Sequence, residues 1–127
     1  MPAYDASYFA PPAPLARITL RNPQSGLTLS DVPMLIDTGA DATLVPQASV
    51  EMVGVIASPG AEFEVVAFDG TTSFMQVASL DVLFLKKTFK GRFLLINQEV
   101  GILGRDILNH LKLLFDGPSL NWDEQKQ

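Results

Sequence analysis

Leu35-Ile36-Asp37-Thr38-Gly39-Ala40-Asp41 is the stretch that decides the fold of this chain of 127 residues. The apolar run that ends at Ile36 predicts a buried strand, and the Asp-Thr-Gly that follows predicts a tight turn. Thr43-Leu44-Val45 predicts the next strand, which ends at Pro46. This order of strand, turn and strand places one carboxylate, that of Asp37, at the end of a buried strand.

A second segment, Ile102-Leu103-Gly104-Arg105-Asp106, repeats the pattern of apolar residues followed by a glycine. Aligning the two glycines puts Ile102 opposite Asp37 and Leu103 opposite Thr38. The second segment therefore has no carboxylate at the point where the first has Asp37. A helix is predicted after it, from Arg105 to about Leu111.

Together the two segments resemble the retropepsin-like aspartic proteases, the single-domain, dimer-forming relatives of pepsin. The resemblance extends from about Arg17 to Trp122. It implies a mostly β fold, namely a closed, largely antiparallel acid-protease barrel with one short C-terminal helix. We expect this domain at residues 15–123, after a proline-rich arm at 1–14 that is extended or disordered and before a polar tail at 124–127.

A hairpin is predicted where Phe68-Asp69-Gly70-Thr71 separates two β-prone runs, because Asp-Gly between such runs favours a tight turn. In the family, this hairpin is the flap that covers the substrate. Its tip has only Gly70, whereas retroviral flaps are rich in glycine. Other strands are predicted at 16–21, 80–85 and 92–96, with a basic turn at 86–91, and at 112–115 and 119–123.

The chemistry of peptide hydrolysis explains why one carboxylate is not enough. A base must deprotonate the attacking water, and an acid must protonate the carbonyl oxygen. Two adjacent carboxylates that share one proton perform both tasks. Because the chain supplies only Asp37, the resemblance predicts a homodimeric aspartic endopeptidase with an Asp37–Asp37 dyad, acting on peptide or protein substrates in extended, hydrophobic segments.

The resemblance assigns the catalytic turn to Asp37, Thr38 and Gly39. The Thr38 hydroxyl would hydrogen-bond across the two-fold axis to the partner's turn, and Gly39 would let the backbone approach the substrate. Ala40 stands where pepsin-like enzymes have serine. With one hydrogen bond fewer to the ionised aspartate, we expect an optimum less acidic than that of pepsin.

Gly104 and Arg105 are predicted to support this turn from the second segment. In the family, Arg105 would bridge back to the catalytic loop and pair with Asp41. If that pair is buried, removal of one partner costs about 3–5 kcal/mol. If both charges are solvated, their coupling is close to nothing.

Predicted substrate contacts surround the catalytic turn, the flap tip and the second segment. They are Ala40, Asp41, Ala42, Leu44, Phe68, Asp69, Gly70 and Ile102. Leu44 and Ile102 are equally compatible with a purely core role, and Phe68 and Asp69 with merely shaping the hairpin. For the dimer interface the resemblance implies Thr38, Leu120, Asn121 and Trp122, although Trp122 could instead cover the core of its own subunit.

Composition excludes several other classes. Nine Lys and Arg against fourteen Asp and Glu give a net charge of −5, without the basic cluster that nucleic acid needs. The absence of cysteine excludes disulfides and thiolate chemistry, and fits a cytoplasmic location. The chain has a single histidine and no acidic residues at the spacing of a calcium loop. We therefore expect no metal and no other cofactor. The sequence has no signal peptide or membrane-spanning run, so no membrane partner is expected.

Two functional classes remain open at this point. The first is an active aspartic endopeptidase, which the intact Asp37-Thr38-Gly39 favours. The second is a catalytically weak or inactive dimeric module that binds or assembles peptides on the same fold. The glycine-poor flap motivates this second possibility, because a stiff lid slows turnover.

Overall fold

The computed structural model describes residues 2–58, 62–66 and 69–125, which form ten strands and two short helices. The strands are β1 Tyr4–Asp5, β2 Ala13–Arg21, β3 Thr28–Ile36, β4 Leu44–Pro46, β5 Glu62–Val66, β6 Thr72–Phe84, β7 Lys87–Ile96, β8 Gly101–Leu103, β9 Leu113–Asp116 and β10 Asn121–Glu124. The helices are α1 Gln47–Met52 and α2 Arg105–Leu108. Among these helices, none has the length and apolar character needed to cross a membrane.

Eight strands make one sheet in the order β1-β2-β3-β8-β4-β7-β6-β5, and β9 pairs with β10 separately. A further pairing of β2 with β6 joins the run from β2 to β6 into a closed ring. Most neighbours are antiparallel, but β8 runs parallel to β3, and β4 runs parallel to β7. The closed, mostly β architecture predicted from the sequence is therefore confirmed.

The core fills the ring because alternate residues of each strand point inward. On β2 these are Ala16, Ile18 and Leu20, and on the paired β3 they include Val32 and Met34. β6 adds another set of alternating residues, Ala78, Leu80, Val82 and Phe84. The period of two in these strands thus specifies which face is buried.

Several expected boundaries differ from the structure, and two of the differences have a clear physical reason. α2 ends at Leu108 and gives way to turns, since Asn109 and His110 are weaker helix formers and Lys112 already continues the extended chain of β9. The predicted basic turn at 86–91 is wrong, because β7 begins at Lys87 and the turn is only Leu85-Lys86. Both turn residues have positive φ, 52° and 64°, as a two-residue hairpin that follows the strand twist requires.

The arm predicted at residues 1–14 is partly hydrogen bonded. Tyr4 and Asp5 form β1 against Pro14 and Ala13 of β2. On the other side, Tyr4 N donates to Leu120 O at 2.8 Å, and Trp122 N donates to Pro2 O at 2.9 Å. The N-terminal residues therefore lie alongside β10, which is the last strand of the chain to be described.

Gly101 is the tightest point of the parallel pair β3–β8. A Cβ atom there would lie 2.5 Å from Leu44 O and from Met34 Sδ, and 2.7 Å from Pro46 Cδ. These distances are far below van der Waals contact, and one of the neighbours is backbone. Only glycine lets β8 fit between β3 and β4.

We expect Gly101→Ala to lower the free energy of unfolding by at least about 1–3 kcal/mol, the usual cost of overpacking a closed core. Urea unfolding measures the loss. Gly117→Ala is the matched control, because a Cβ at Gly117 meets no atom within 4 Å. Equal stability of the two variants would contradict this account of the β3–β8 contact.

Candidate active site

The Asp37 turn follows β3 directly and is tied to β8. Asp37 N donates to Leu103 O at 3.1 Å, and Ala40 N donates to Asp37 O at 3.2 Å. The carboxylate is half-buried, and its Oδ1 accepts the backbone N–H of Gly39 at 2.9 Å. A Cβ on Gly39 would lie 3.1 Å from the same oxygen, so a side chain there would crowd the carboxylate. The turn thus holds Asp37 in a fixed place while Thr38 and Gly39 stay exposed.

Arg105 bridges back to this turn, as the sequence predicted. Its Nη1 donates to Thr38 O at 2.7 Å, and its backbone N donates to Ala40 O at 2.8 Å. The predicted pairing with Asp41 needs correction, because the two side chains make no ion pair within 4 Å in the described part of the chain. Both are exposed to solvent, which screens their attraction. The cost calculated for a buried pair therefore does not apply.

A clasp between Thr43 and Asp106 was not foreseen. Thr43 is 1% exposed, and its Oγ1 donates to Asp106 Oδ1 at 2.6 Å while its N donates to Oδ2 at 3.1 Å. The same hydroxyl accepts Gly104 N at 3.1 Å. The signal in the sequence was Asp106 in the first turn of a helix, where an acidic side chain is favoured.

Gly104 packs directly on the backbone that follows the catalytic turn. A Cβ atom there would lie 2.5 Å from both C and O of Ala42. Gly104, Arg105 and Asp106 therefore all contact the segment from Thr38 to Thr43, each in a different way. The structure brings the two predicted supporting residues, Gly104 and Arg105, together with Ala40 and Ala42.

Thr43→Val removes the hydroxyl but keeps the branched shape. Because the buried N–H of Gly104 then lacks its acceptor and Asp106 loses a donor, we expect the free energy of unfolding to fall by about 1–3 kcal/mol. Thr43→Ser keeps the hydroxyl and should retain most of the stability. Urea unfolding of both variants checks this, and a larger loss for Thr43→Ser than for Thr43→Val would show that the methyl group, not the hydroxyl, matters.

An apolar row crosses the sheet and includes Leu35 of β3, the strand that ends just before Asp37. Leu35 of β3 is paired with Ile102 of β8, Ile102 with Leu44 of β4, Leu44 with Leu94 of β7, and Leu94 with Val77 of β6. Paired residues share a face, and Asp37 follows Leu35 by two positions. None of the five belongs to the main core cluster, which lies on the opposite face. The pairings thus put Leu44 and Ile102 in one row with Leu35, and within this row Leu44 and Val77 are buried, at 9% and 2% exposed.

A cavity of about 260 Å³ opens on this row at Leu35 and Ile102. Its other walls are Tyr8, Phe9 and the segment 98–101. The negative charge of Glu99 raises the pKa of the Tyr8 hydroxyl, which shows that the arm and this segment lie close together. Sequence reasoning missed Tyr8, Phe9 and Leu35, and the only signal was an aromatic pair within the arm.

The flap hairpin is formed by β5 and β6, with Val66 opposite Thr72. Asp69 shapes its tip, since Oδ1 accepts Thr71 Oγ1 at 2.6 Å and Thr71 N at 2.9 Å, and Gly70 has φ +85°. The hydroxyl and then the N–H of Thr71 hold the pKa of Asp69 below its usual value. This stabilisation is present above the usual pKa and is lost as the pH falls through the lowered one.

The three predicted site residues of the flap differ in what the structure describes of them. Phe68 lies outside the described residues. Asp69 and Gly70 are exposed, and no described contact links either of them to the catalytic turn. Of the two roles weighed for Asp69, the structure shows the shaping of the hairpin.

The C-terminal segment differs from the predicted interface. Trp122 is 2% exposed, its Nε1 donates to Leu15 O at 3.0 Å, and its ring centroid lies 5.9 Å from that of Phe84. A side chain so completely buried in its own subunit has no surface left for a partner, so its predicted role as an interface anchor is corrected. Leu120 is exposed and Asn121 is half-buried.

The Asp-Thr-Gly turn lies at the end of a strand in a closed ring of strands, and the segment that begins at Gly104 packs against it. This combination defines a protein of the retropepsin-like class. The chain belongs to the retroviral aspartyl protease family, whose model matches residues 12–116. Thr38, Arg105 and Asp106 all lie within that match. The expectation drawn from the two glycine motifs is thus confirmed at the level of family.

A solved structure with the same fold is the EIAV protease in complex with the inhibitor HBY-793. The match has a TM-score of 0.56 and 21% sequence identity, and it covers 77% of this chain and 86% of that chain. At this identity the likeness concerns the fold alone. No curated protein sequence is significantly similar to this one.

Proposed function

We propose that the chain is an aspartic endopeptidase that cleaves extended, apolar peptide segments as a homodimer. The observation that carries this proposal is the half-buried Asp37, held by the Gly39 N–H at the end of β3. The matching position of the second segment is occupied by Ile102, which has no acid or base. A single subunit therefore has half of the required pair.

In the proposed dimer, Asp37 of each subunit meets at the two-fold axis, and the two carboxyl groups share one proton. The ionised group takes a proton from water, whose oxygen attacks the peptide carbonyl carbon. The protonated group donates its proton to the carbonyl oxygen, which gives a tetrahedral intermediate. A proton is then returned to the amide nitrogen as the C–N bond breaks. The support for this dyad is the mutual repulsion of two close carboxylates, which favours one shared proton.

The proposed substrate contacts follow from the apolar row that includes Leu35. An extended peptide presents alternate side chains to one face, and the half-buried Leu35 and Ile102 provide an apolar surface for them, with the buried Leu44 beneath. The cavity at Leu35 and Ile102 has room for one large side chain, at about 260 Å³. This combination supports a preference for hydrophobic residues next to the cleaved bond.

Asp37→Asn tests the catalytic role, because it keeps a side-chain oxygen for the Gly39 N–H but removes the exchangeable proton. On a mixed peptide library we expect cleavage to fall by at least about 10²-fold, the usual contribution of general acid–base catalysis. An excess of the folded variant should also suppress the parent protein, since mixed dimers hold a single carboxylate. Liquid chromatography of the products measures both effects.

Equal cleavage by parent and Asp37→Asn would remove Asp37 from the mechanism and favour the peptide-binding module. A parent whose activity is unchanged by excess variant would contradict the shared dyad instead. The catalytic role of Asp37 and the sharing of the dyad between two subunits are therefore tested separately.

Tyr8→Ala tests the cavity wall. Tyr8 is an exposed side chain, so its truncation should leave the melting temperature unchanged. Because the cavity then widens, we expect kcat/KM for peptides with a large aromatic residue at the cleaved bond to rise several-fold relative to small apolar ones. Leu27→Ala, at another exposed apolar residue, is the control. An identical preference profile in both variants would exclude Tyr8 from the substrate site.

A further inference from the structure

The cavity between the arm and the segment 98–101 has apolar walls and one charged group at its mouth. Its apolar side chains are Phe9, Leu35, Val100 and Ile102. Among the described residues that line it, only Glu99 carries a charge at neutral pH, and Glu99 is exposed. A cavity with this lining binds through its apolar surface and selects through its one well-placed polar group.

The Tyr8 hydroxyl reports the sign of the electric field at this mouth. The negative charge of Glu99, together with burial and a hydrogen bond to the same carboxylate, raises the pKa of the hydroxyl. The charge of Asp5 acts in the same direction, and Arg17 opposes it more weakly. Because the negative groups prevail over the positive one, this mouth attracts cations and repels anions.

Asp5 holds Tyr8 in place beside Glu99. Its Oδ2 accepts the backbone N–H of Tyr8 at 2.7 Å, and its Oδ1 accepts the Ser7 hydroxyl at 2.8 Å. Asp5 is itself fixed by the pairing of β1 with β2. Residues 5–9 precede the 12–116 match to the family, so the Tyr8 side of the cavity comes from outside the matched part of the chain.

A lysine or arginine side chain combines the two properties that this cavity can recognise. Such a side chain places its aliphatic stem along apolar surface and keeps its charged head in water. The stem would lie against Leu35 and Ile102, and the head would reach the exposed Glu99 carboxylate at the mouth. A glutamate side chain of similar reach would meet the same carboxylate with a like charge.

We propose that this cavity is a subsite for a lysine or arginine side chain of the peptide substrate, with Glu99 as the residue that determines the specificity. The inference rests on the proposed function, since that function puts Leu35 and Ile102 in contact with the peptide. It adds one position with a preferred cation to a substrate that is otherwise apolar.

A peptide series of one sequence tests the subsite, with lysine, norleucine or glutamate placed in turn at each position around the cleaved bond. At one position we expect kcat/KM for lysine to exceed that for norleucine by about two- to fivefold, the range of an exposed ion pair. Glutamate should be the poorest of the three there. Raising the ionic strength should reduce the advantage of lysine, because salt screens exposed charges.

Two variants of Glu99 assign the preference to this residue. Glu99→Gln should make lysine and norleucine equivalent at that position, and Glu99→Lys should favour glutamate over lysine. Glu51→Gln removes the same charge from an exposed residue of α1 and should keep the preference of the parent, so it is the matched control. Circular dichroism verifies that each variant is folded.

Binding to Asp37→Asn separates the subsite from catalysis. Fluorescence anisotropy of the same peptides should show tighter binding of the lysine peptide, and Glu99→Gln added to Asp37→Asn should abolish the difference. If the parent cleaves no peptide but this binding preference is present, the subsite is supported and the proposed protease activity is contradicted. Cleavage with no preference for lysine at any position, or a preference that Glu99→Gln leaves unchanged, overturns the subsite alone. A lack of binding to every peptide overturns both.

Discussion

The parallel pairing of β3 with β8 is the contact on which the rest of the site depends. It joins Met34, Leu35 and Ile36 to Gly101, Ile102 and Leu103 over three residue pairs. β8 fits there because Gly101 has no Cβ to meet Leu44 O. The pairing fixes the start of the Asp37 turn, and it brings Gly104 and Arg105 against the residues that follow. The short strand β8 thereby positions the Asp37 turn and also contributes Ile102 to the apolar row.

The parts of this arrangement that depend on neighbouring residues could be predicted from the sequence. Asp37 at a strand end, the Asp69-Gly70 hairpin and the start of α2 all follow from neighbouring residues. The clasp of Thr43 on Asp106 could not be predicted in the same way, because its partners are 63 positions apart and meet only where β4 pairs with β8. The same holds for the row from Leu35 to Val77, which needs the register of five strands.

Trp122 shows a different limit of sequence reasoning. An aromatic residue on a terminal strand is compatible with an interface and with a core, and composition does not separate the two. The decision depends on Leu15 O, which accepts the indole N–H, and on Phe84, which packs against the ring. Tyr8 was missed for a similar reason, since only the folded chain brings the arm next to Glu99.

The central claim is that catalysis needs two copies of Asp37, because one chain supplies only one of the two catalytic carboxylates. The most direct test measures the initial rate of peptide cleavage over a range of protein concentrations, with ultracentrifugation at each concentration. The account predicts that the rate follows the concentration of dimer and falls steeply, per chain, where monomers predominate. A constant rate per chain through dissociation would contradict it.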